Sequence, residues 1–257
     1  MKLATWNVNS IRARHDRLMA WLGAAAPDVV CLQETKVEDA GFPFDALLEA
    51  GYHAVTLGQR SYNGVAILSR QPPADVTRGF GDDVDDDQAR AIAATIDGVR
   101  VISVYVPNGQ EVGSDKYEYK LAWLARLRAY LDRAEDPTKP LALCGDMNVA
   151  PGDLDVYDPK AWRGSILCSD AERAALQRVL EWGLTDVFRA HHTEGELYSW
   201  WDYRGVSLFK NQGLRIDHIF ASPALAARSS ACVIDRAARK GANASDHAPV
   251  IGEFRAE

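Results

Sequence analysis

The amino-acid sequence predicts a layered α/β domain in which helices pack on the outer faces of β-sheets. Short apolar runs alternate along the whole chain with longer segments whose apolar residues recur at helical spacing. The 257 residues are 47% hydrophobic and 25% charged, with no serine- or glycine-rich linker, short-period repeat or low-complexity tract. A chain of this length can build one full hydrophobic core. We therefore expect residues 1–257 to form a single domain.

Eight runs are predicted as β-strands because they are apolar and rich in β-branched or aromatic residues. Several lack a clean alternation of apolar and polar residues, which is typical of strands covered on both faces. The runs are VVCL at 29–32, GVAILS at 64–69, AIAATI at 91–96, VRVISVYV at 99–106, LALC at 141–144, YSWW at 198–201, RIDHIFAS at 215–222 and APVIGEF at 248–254.

Three segments between these runs are predicted as helices. The first, residues 9–23, has Asn9 or Ser10 as a candidate N-cap and a glycine at its end. The second, residues 115–131, carries tyrosine and leucine side chains at helical spacing. The third, residues 169–183, opens with the Ser-x-x-Glu pattern of a capping box and also ends in glycine.

Charge and cysteine content exclude several protein classes. The formal net charge of −7 argues against a protein that coats nucleic acid through charge alone, but not against an enzyme with an acidic metal site. The four cysteines have no C-x-x-C spacing, so neither a disulfide framework nor a zinc site is expected. The acidic run at 81–88 lacks EF-hand spacing and is interpreted as a solvated turn. No signal peptide or membrane-spanning stretch is recognisable, and we expect a cytoplasmic protein.

Polar side chains recur at the ends of the predicted strands. They are Asn7 and Asn9, Glu34 followed by Lys36, Tyr105 before a Pro-Asn-Gly turn, Asp146 and Asn148, Asp217, and Asp246 with His247. Residues i and i+2 of an extended chain point the same way, so Asp146 and Asn148 should project together while Met147 turns away. Each residue alone has a structural explanation, because strand-end Asn and Asp commonly cap turns. Together they indicate a ligand site, since such sites form at strand ends in α/β folds.

Six motifs carry a resemblance to a known family. TWNVNSIRAR, CLQETK, YVPNG, CGDMNVAP, GLRIDHIFAS and SDHAPV, in this order and spacing, resemble the exonuclease III family of DNA-repair nucleases. That family lies within the endonuclease/exonuclease/phosphatase superfamily, and the match runs from about residue 2 to residue 254. DPKAWRG, YSWWDYR and GLRID resemble the bacterial branch. The resemblance implies a DNase-I-like, four-layer α/β sandwich of two packed mixed β-sheets flanked by helices, with the site at one end.

The resemblance also implies a Mg²⁺-dependent phosphodiesterase that acts on double-stranded DNA at abasic sites and 3′ ends. We further expect a monomer and expect Mn²⁺ to be able to replace Mg²⁺. Phosphodiester hydrolysis needs a metal, an activated water and donors for the developing charge. Mg²⁺ prefers hard oxygen ligands and few protein carboxylates. We expect Glu34 as the direct ligand, with Asn9 and Asp246 beside it or acting through water. Asp146 and Asn148 are further metal candidates.

Catalytic roles follow from the side-chain chemistry. Asp146 is expected to orient and deprotonate the attacking water, while Asn148 and Asn7 hold that water and a phosphate oxygen without adding charge. A protonated His247 can donate to a non-bridging phosphate oxygen, with Asp217 as its carboxylate partner. The sequence leaves open whether Asp146 or His247 is the base, and whether one metal or two operate.

Further residues are candidates for DNA contact. Tyr105 can donate to the phosphate or assist the leaving oxygen. By resemblance, Trp200 faces a base-less sugar together with Leu214 and Ile216, although Trp200 and Trp201 are equally typical of a hydrophobic core. The candidate phosphate contacts are Lys36, Arg90, Lys116, Arg204, Lys210 and Arg215.

Two other functions remain open from the sequence. The same catalytic core could act on a phosphoinositide or sphingolipid head group, but no membrane-binding extension is recognisable. A DNA-binding module without catalysis is opposed by the apparently complete set of candidate catalytic residues. A metal-dependent DNA nuclease is therefore the expected function.

Overall fold

The structure, a computed structural model, describes residues 1–256 of the chain. The strands are β1 (Lys2–Asn7), β2 (Val29–Gln33), β3 (His53–Leu57), β4 (Val65–Ser69), β5 (Ala74–Arg78), β6 (Ala91–Ile96), β7 (Val99–Tyr105), β8 (Leu141–Asp146), β9 (Thr185–Asp186), β10 (Asp217–Ala221), β11 (Ser229–Ile234) and β12 (Val250–Phe254). The helices are α1 (His15–Ala25), α2 (Phe44–Glu49), α3 (Asp115–Ala134), α4 (Pro159–Trp162), α5 (Asp170–Leu180), α6 (Val187–His191) and α7 (Pro223–Ala226).

The strands form two six-stranded mixed sheets. The order is β11-β12-β1-β2-β4-β3 in the first sheet and β5-β6-β7-β8-β10-β9 in the second. One neighbouring pair in each sheet is parallel, β1 with β2 and β7 with β8, and the other pairs are antiparallel. Both sheets are therefore mixed, as predicted.

Alternate side chains of each sheet enter two different cores. Cys31 of the first sheet and Val101 of the second belong to the core between the sheets. Leu18 of α1 packs on the outer face of the first sheet, and Leu124 of α3 packs with α5 on the outer face of the second. Helix, sheet, sheet and helix follow one another, which confirms the predicted four-layer sandwich. Among residues 1–256 no helix has the length and hydropathy needed to cross a membrane.

The strands missed from the sequence are mainly edge strands. β3, β5 and β11 are largely half-buried or exposed, so their sequences lack the apolar runs that identify central strands. The predicted strand at 198–201 is wrong, because this segment makes only isolated bridges, in which Trp200 pairs with Leu214 and with His247. By contrast, β6 has the predicted bounds at both ends.

The first helix begins later than predicted. Asn9 and Ser10 have φ of 45° and 86°, so they lie in the left-handed region, and Arg14 occupies the N-cap of α1. The helix also continues past the predicted stop and ends before Ala26, which has φ 45°. The capping box that begins at Ser169 is confirmed at the start of α5.

The acidic run at 81–88 forms an irregular loop that is anchored by one arginine. Arg126 of α3 lies 2.8 Å from Asp82 and 2.6 Å from Asp86. These hydrogen bonds and charges lower the pKa of both carboxyls, with burial opposing the shift. The predicted exposure agrees with the structure, because most residues of this run are exposed, but the segment is an irregular loop with a bend at 82–83 instead of a turn.

Candidate active site

The candidate site lies at the end of the sandwich where the central strands of both sheets terminate. β1 and β2 are parallel, so Asn7 and Glu34 reach the same edge of the first sheet. In the second sheet, Asp146 ends β8 and stands in register with Tyr105 on one side and Asp217 on the other. The topology thus gathers residues that are far apart in sequence.

Asn7 joins the two halves of the site. Its side chain is fully buried, and its Nδ2 donates to Glu34 Oε1 at 2.8 Å and to Asp146 Oδ2 at 2.9 Å. Its Oδ1 accepts a hydrogen bond from the backbone N–H of Asn9 at 3.0 Å. Both amide atoms are therefore used to hold two carboxylates and the following loop in place.

A cation already lies among the predicted metal ligands. Lys36 Nζ is 2.8 Å from Glu34 Oε2 and donates to Asn9 Oδ1 at 2.6 Å. Burial opposes ionisation of Glu34, but Lys36 and Asn7 outweigh it and lower the pKa of the carboxyl. Glu34 and Lys36 both have positive φ, 51° and 54°, and this backbone turns their side chains into the site. The oxygens of Glu34 and Asn9 are thus arranged to surround a positive charge.

The donor set fits a hard divalent cation. Glu34, Asp146 and His247 each offer a ligand atom, and these atoms lie within 4.8 Å of one another. His247 is held in its charged form, as shown below, so carboxylate and amide oxygens remain as donors. Oxygen donors without a thiolate favour Mg²⁺ or Mn²⁺ over zinc.

Asp246 borders this cation position. Its two carboxylate oxygens accept hydrogen bonds from Asn9 Nδ2 and from Trp200 Nε1, each at 3.0 Å. Burial raises the pKa of Asp246, but His247 and the Trp200 hydrogen bond outweigh it, so the net shift is downward. The residue is therefore an anion beside Asn9, within reach of a metal through water.

Asn148 lies next to Asp146 because the chain turns between the two residues, and not because it is extended there. Its φ is 48°, and its backbone N–H donates to Asp146 Oδ1 at 2.9 Å. Its side chain donates to Val106 O at 2.9 Å and accepts from Asn108 Nδ2 at 3.2 Å. The predicted proximity is present, but the predicted strand geometry is wrong. Met147 turns into the core as expected.

His247 and Asp217 form a buried charged pair. His247 Nδ1 lies 2.9 and 3.1 Å from the two Asp217 oxygens, and Ser199 Oγ donates to Asp217 Oδ2 at 2.7 Å. Burial favours the neutral imidazole, but Asp217 and Asp146 outweigh it and raise the pKa of His247 to about 10. The ring is therefore an imidazolium at neutral pH, with Nε2 3.8 Å from Asp146 Oδ2.

Asp146 is a carboxylate with a raised pKa. Burial raises its pKa to about 7, with the Asp217 charge acting in the same direction and His247 opposing both. Two donors, Asn7 Nδ2 and the N–H of Asn148, fix the orientation of the carboxylate. This arrangement supplies a positioned proton acceptor close to neutral pH.

Tyr105 keeps its proton in this environment. Burial and the charges of Glu34 and Asp146 raise the pKa of the phenol well above its usual range. The Arg90 guanidinium lies over the Tyr105 ring, 4.8 Å from its centroid, and donates to Tyr105 O at 3.2 Å. Tyr105, Arg90 and Lys116 line one groove of about 600 Å³, and Lys116 is exposed there.

The residues predicted to form the abasic pocket differ in their exposure to solvent. Trp200 is half-buried, whereas Trp201 is fully buried, so Trp200 is the one that a ligand can reach. The expectation that Leu214 and Ile216 contact a sugar directly is not met, because both are buried in a cluster beneath Trp200. They support the indole from below instead.

The candidate phosphate contacts likewise include both exposed and buried residues. Arg204 and Lys210 are exposed on the loop that follows the two tryptophans. The prediction for Arg215 is wrong, because its side chain is 1% exposed and pairs with Asp155 at 2.7 Å and with Asp186 at 2.8 Å. An arginine held in two buried ion pairs is part of the core and cannot reach a DNA backbone.

Sequence reasoning missed three residues that position the site. Ser199 orients Asp217, and Asn108 holds the Asn148 side chain. The buried Lys120 Nζ donates to Asn108 O at 3.0 Å and to Asn148 O at 2.6 Å, and it pairs with Glu172. One signal was available, because Lys120 falls within the apolar stripe of α3 where a charge needs a partner.

Comparisons with known proteins agree with this geometry. Residues 4–247 match the family described as Endonuclease/Exonuclease/phosphatase family. The chain is 38% identical to "Exodeoxyribonuclease III" of Haemophilus influenzae, with 99% of this chain and 100% of that protein covered. It is similar to the solved AP endonuclease from Archaeoglobus fulgidus, with 41% identity, a TM-score of 0.96 and both chains fully covered. It is also similar to the 3′ phosphatase NExo from Neisseria bound to a product DNA hairpin, with 46% identity, a TM-score of 0.96 and 99% of each chain covered. The chain therefore belongs to the endonuclease/exonuclease/phosphatase family.

Proposed function

We propose that the protein is a Mg²⁺-dependent DNA phosphodiesterase that cleaves 5′ to abasic sites and removes nucleotides or blocking groups from the 3′ ends of duplex DNA. The observation that carries this proposal is the hydrogen-bonded cluster in which Asn7 holds both Glu34 and Asp146. The named activities of the relatives above, an exodeoxyribonuclease, an AP endonuclease and a 3′ phosphatase, supply the substrate class.

Asp146 acts as the base that takes a proton from the attacking water. Its pKa of about 7 suits this task, because a general base works best with a pKa near the operating pH. His247 cannot be that base while Asp217 keeps it protonated. The imidazolium instead donates from Nε2 to a non-bridging phosphate oxygen.

The remaining groups hold the phosphate and the metal. Tyr105 keeps its proton and donates a hydrogen bond to the phosphate or to the leaving oxygen, and one N–H of the Asn148 amide remains for the water or the phosphate. Glu34 and Asn9 would hold Mg²⁺, with Asp246 contributing through water, and Mn²⁺ would fit the same oxygen donors. When bound, the metal neutralises phosphate charge and so lowers the barrier to attack.

Duplex DNA lies across this end of the sandwich. Trp200 contacts the base-less sugar, and exposed or half-buried cations around the site contact backbone phosphates. These cations are Lys36, Arg90, Lys116, Arg204 and Lys210. Because each sheet supplies half of the catalytic groups, we also propose that the whole chain works as one domain. From the sequence we propose a monomer in the cytoplasm.

Three substrates test the proposal directly. The protein is incubated with an abasic duplex, an undamaged duplex with a recessed 3′ end and a soluble inositol phosphate, each with Mg²⁺ and with excess chelator. We expect cleavage of both duplexes only with Mg²⁺, and no release of phosphate from the inositol compound. Hydrolysis of the inositol phosphate without cleavage of either duplex would overturn the proposal, and the Asp146→Asn variant controls for contaminating nucleases.

A further inference from the structure

A second cavity lies outside the catalytic cluster. It measures about 570 Å³ and is formed between the loop at 202–209 and the turn at 236–241. Tyr203 forms the wall nearest the site, because its hydroxyl donates to Ala244 O at 2.8 Å and lies 3.5 Å from Asn9 Nδ2. The cavity is thus adjacent to the predicted metal ligands without containing one.

The walls of this cavity carry more positive than negative charge, because Arg236, Arg239 and Lys240 line it together with one carboxylate, Asp202. Five cations lie in or behind them, and within residues 1–256 none of the five forms an ion pair. They are Arg14, Arg17, Arg236, Arg239 and Lys240. The four arginines donate to backbone carbonyls, and Arg14 also donates to the hydroxyl of Tyr203. In a chain with a net charge of −7, this local excess marks an anion site.

Arg239 has hydrogen-bonding capacity left over. Its side chain lines the cavity, the residue is only 8% exposed, and its Nε has no hydrogen-bond partner. The guanidinium lies over the Tyr203 ring at 4.9 Å and donates to Trp201 O at 3.3 Å. A buried N–H without a partner is unfavourable, and Arg14 and Arg17 behind the cavity likewise have an Nε without a partner, so this region is short of hydrogen-bond acceptors.

Apolar side chains at the mouth of the cavity define the class of anion. Phe209 is 88% exposed, and Val206 and Tyr203 are about half exposed. A free phosphate or sulfate ion would gain nothing from these surfaces. A polynucleotide fits both features, because guanidinium groups bind its phosphates and apolar or aromatic side chains contact its sugars and bases.

We infer that this cavity binds a backbone phosphate of the DNA substrate at a nucleotide outside the cleaved bond. The site is an auxiliary anchor that fixes the position of the duplex on the enzyme. The inference rests on the proposed function, since it assigns a second contact to the same DNA. It adds Arg236, Arg239 and Lys240 to the interface, none of which the sequence motifs indicated.

The test uses charge reversal at the two exposed cations. Arg236→Glu and Lys240→Glu are compared with Lys139→Glu, which makes the same charge change at an exposed position just before β8, at the opposite end of that strand from Asp146. Binding to an abasic duplex is measured by fluorescence anisotropy in Ca²⁺ over a series of salt concentrations. Thermal unfolding confirms that each variant is folded.

We expect each cavity variant to bind more weakly than the Lys139→Glu control and to lower the salt slope by about 1, the value for one lost phosphate contact. The rate at saturating DNA should stay at the wild-type value, because the cavity holds no catalytic group. The duplex is then shortened stepwise on either side of the cleavage site. The difference in affinity between the cavity variants and the control should disappear once the duplex no longer reaches the cavity.

The outcomes separate this inference from the proposed function. Equal binding by the cavity variants and the Lys139→Glu control would overturn the auxiliary anchor while wild-type cleavage still supports the nuclease. If the cavity variants still bind the shortest cleavable duplex more weakly than the Lys139→Glu control, the inference is also overturned. The changed charge of the protein surface, and not a contact in the cavity, would then explain the result. A wild-type protein that neither binds nor cleaves DNA would overturn both.

Discussion

Asn7 Nδ2 donates to Asp146 Oδ2 over 2.9 Å, a hydrogen bond that joins residues 139 positions apart and links the two sheets. The same nitrogen donates to Glu34 Oε1 at 2.8 Å. One neutral amide therefore fixes the proposed base relative to the proposed metal ligand. It does so without adding charge to a cluster that already contains two buried carboxylates.

Replacement of Asp146 tests the proposed base. Asp146→Asn keeps the size of the side chain and removes its charge and basicity, so cleavage should fall by about 10²–10⁴-fold. This corresponds to roughly 3–5 kcal/mol of barrier. DNA binding should persist or tighten, because a negative charge beside a phosphate is lost. Single-turnover rates and anisotropy measure the two effects, and near-normal turnover in a folded variant would reduce Asp146 to a turn residue.

Removal of the metal tests the oxygen donor set. Excess chelator should abolish cleavage of an abasic duplex, and added Mg²⁺ or Mn²⁺ should restore it, because Glu34 and Asn9 offer hard ligands. Zn²⁺ should restore less activity, since the site has neither a thiolate nor a neutral histidine. Strand cleavage that continues at full rate in chelator would contradict a metal-dependent mechanism.

DNA affinity should decrease with added salt although the protein is acidic. Arg204, Lys210 and Lys116 are exposed and are proposed to contact phosphates, and phosphate contacts release counterions on binding. Affinity for an abasic duplex in Ca²⁺ is measured at several salt concentrations, with unmodified duplex of equal length as the comparison. A flat response would show that these cations do not contact the backbone.

His218 predicts acid sensitivity of the fold. Arg215 Nη1 lies 2.9 Å from His218 Nδ1 and can only donate, so the ring is neutral. Burial and the Arg215 charge lower the pKa of His218 from 6.5 to about 4. Between these values the unfolded chain binds a proton that the folded chain does not bind, so the stabilisation is complete above pH 6.5 and is lost as the pH falls towards 4. The loss can reach about 3 kcal/mol.

Urea unfolding of wild type and His218→Gln at pH 7, 6, 5 and 4 measures this effect. The glutamine does not titrate, so the stability difference between the two proteins should shift against the wild type as the pH falls. A difference that is constant over this range would mean that His218 does not have the lowered pKa. The acidic residues near His218 are present in both proteins, so their own titration contributes little to the difference in stability.

Lys120 should act on catalysis by positioning Asn148. Lys120→Met removes the donor to Asn148 O and leaves Glu172 buried without its partner, which costs about 3–5 kcal/mol of stability. Adding Glu172→Gln removes the unpaired charge and should restore much of that stability. The double variant should still show a reduced kcat with a nearly unchanged KM. A double variant with wild-type kcat would limit Lys120 to a structural role.

The sequence by itself determined the central architecture and indicated the candidate site residues. Apolar runs buried on both faces, such as β6 and β8, are identifiable because burial dictates their composition. The capping box of α5 is a local interaction and was likewise predictable. Motif residues such as Glu34, Asp146 and His247 were recognised by their order and spacing.

Only the tertiary structure decided which of these residues touch and in what charge state. The pairing of Asp217 with His247 raises the imidazole pKa, and this proximity depends on the register of β10 against β8. Arg215 looks like a DNA contact in sequence, yet two buried carboxylates hold it in the core. Long-range contacts of this kind cannot be predicted from the periodicity of the sequence, because each of the two residues fits the pattern of its own segment whether or not the other lies nearby. Burial and pairing, which exist only in the folded chain, then set the chemistry of each group.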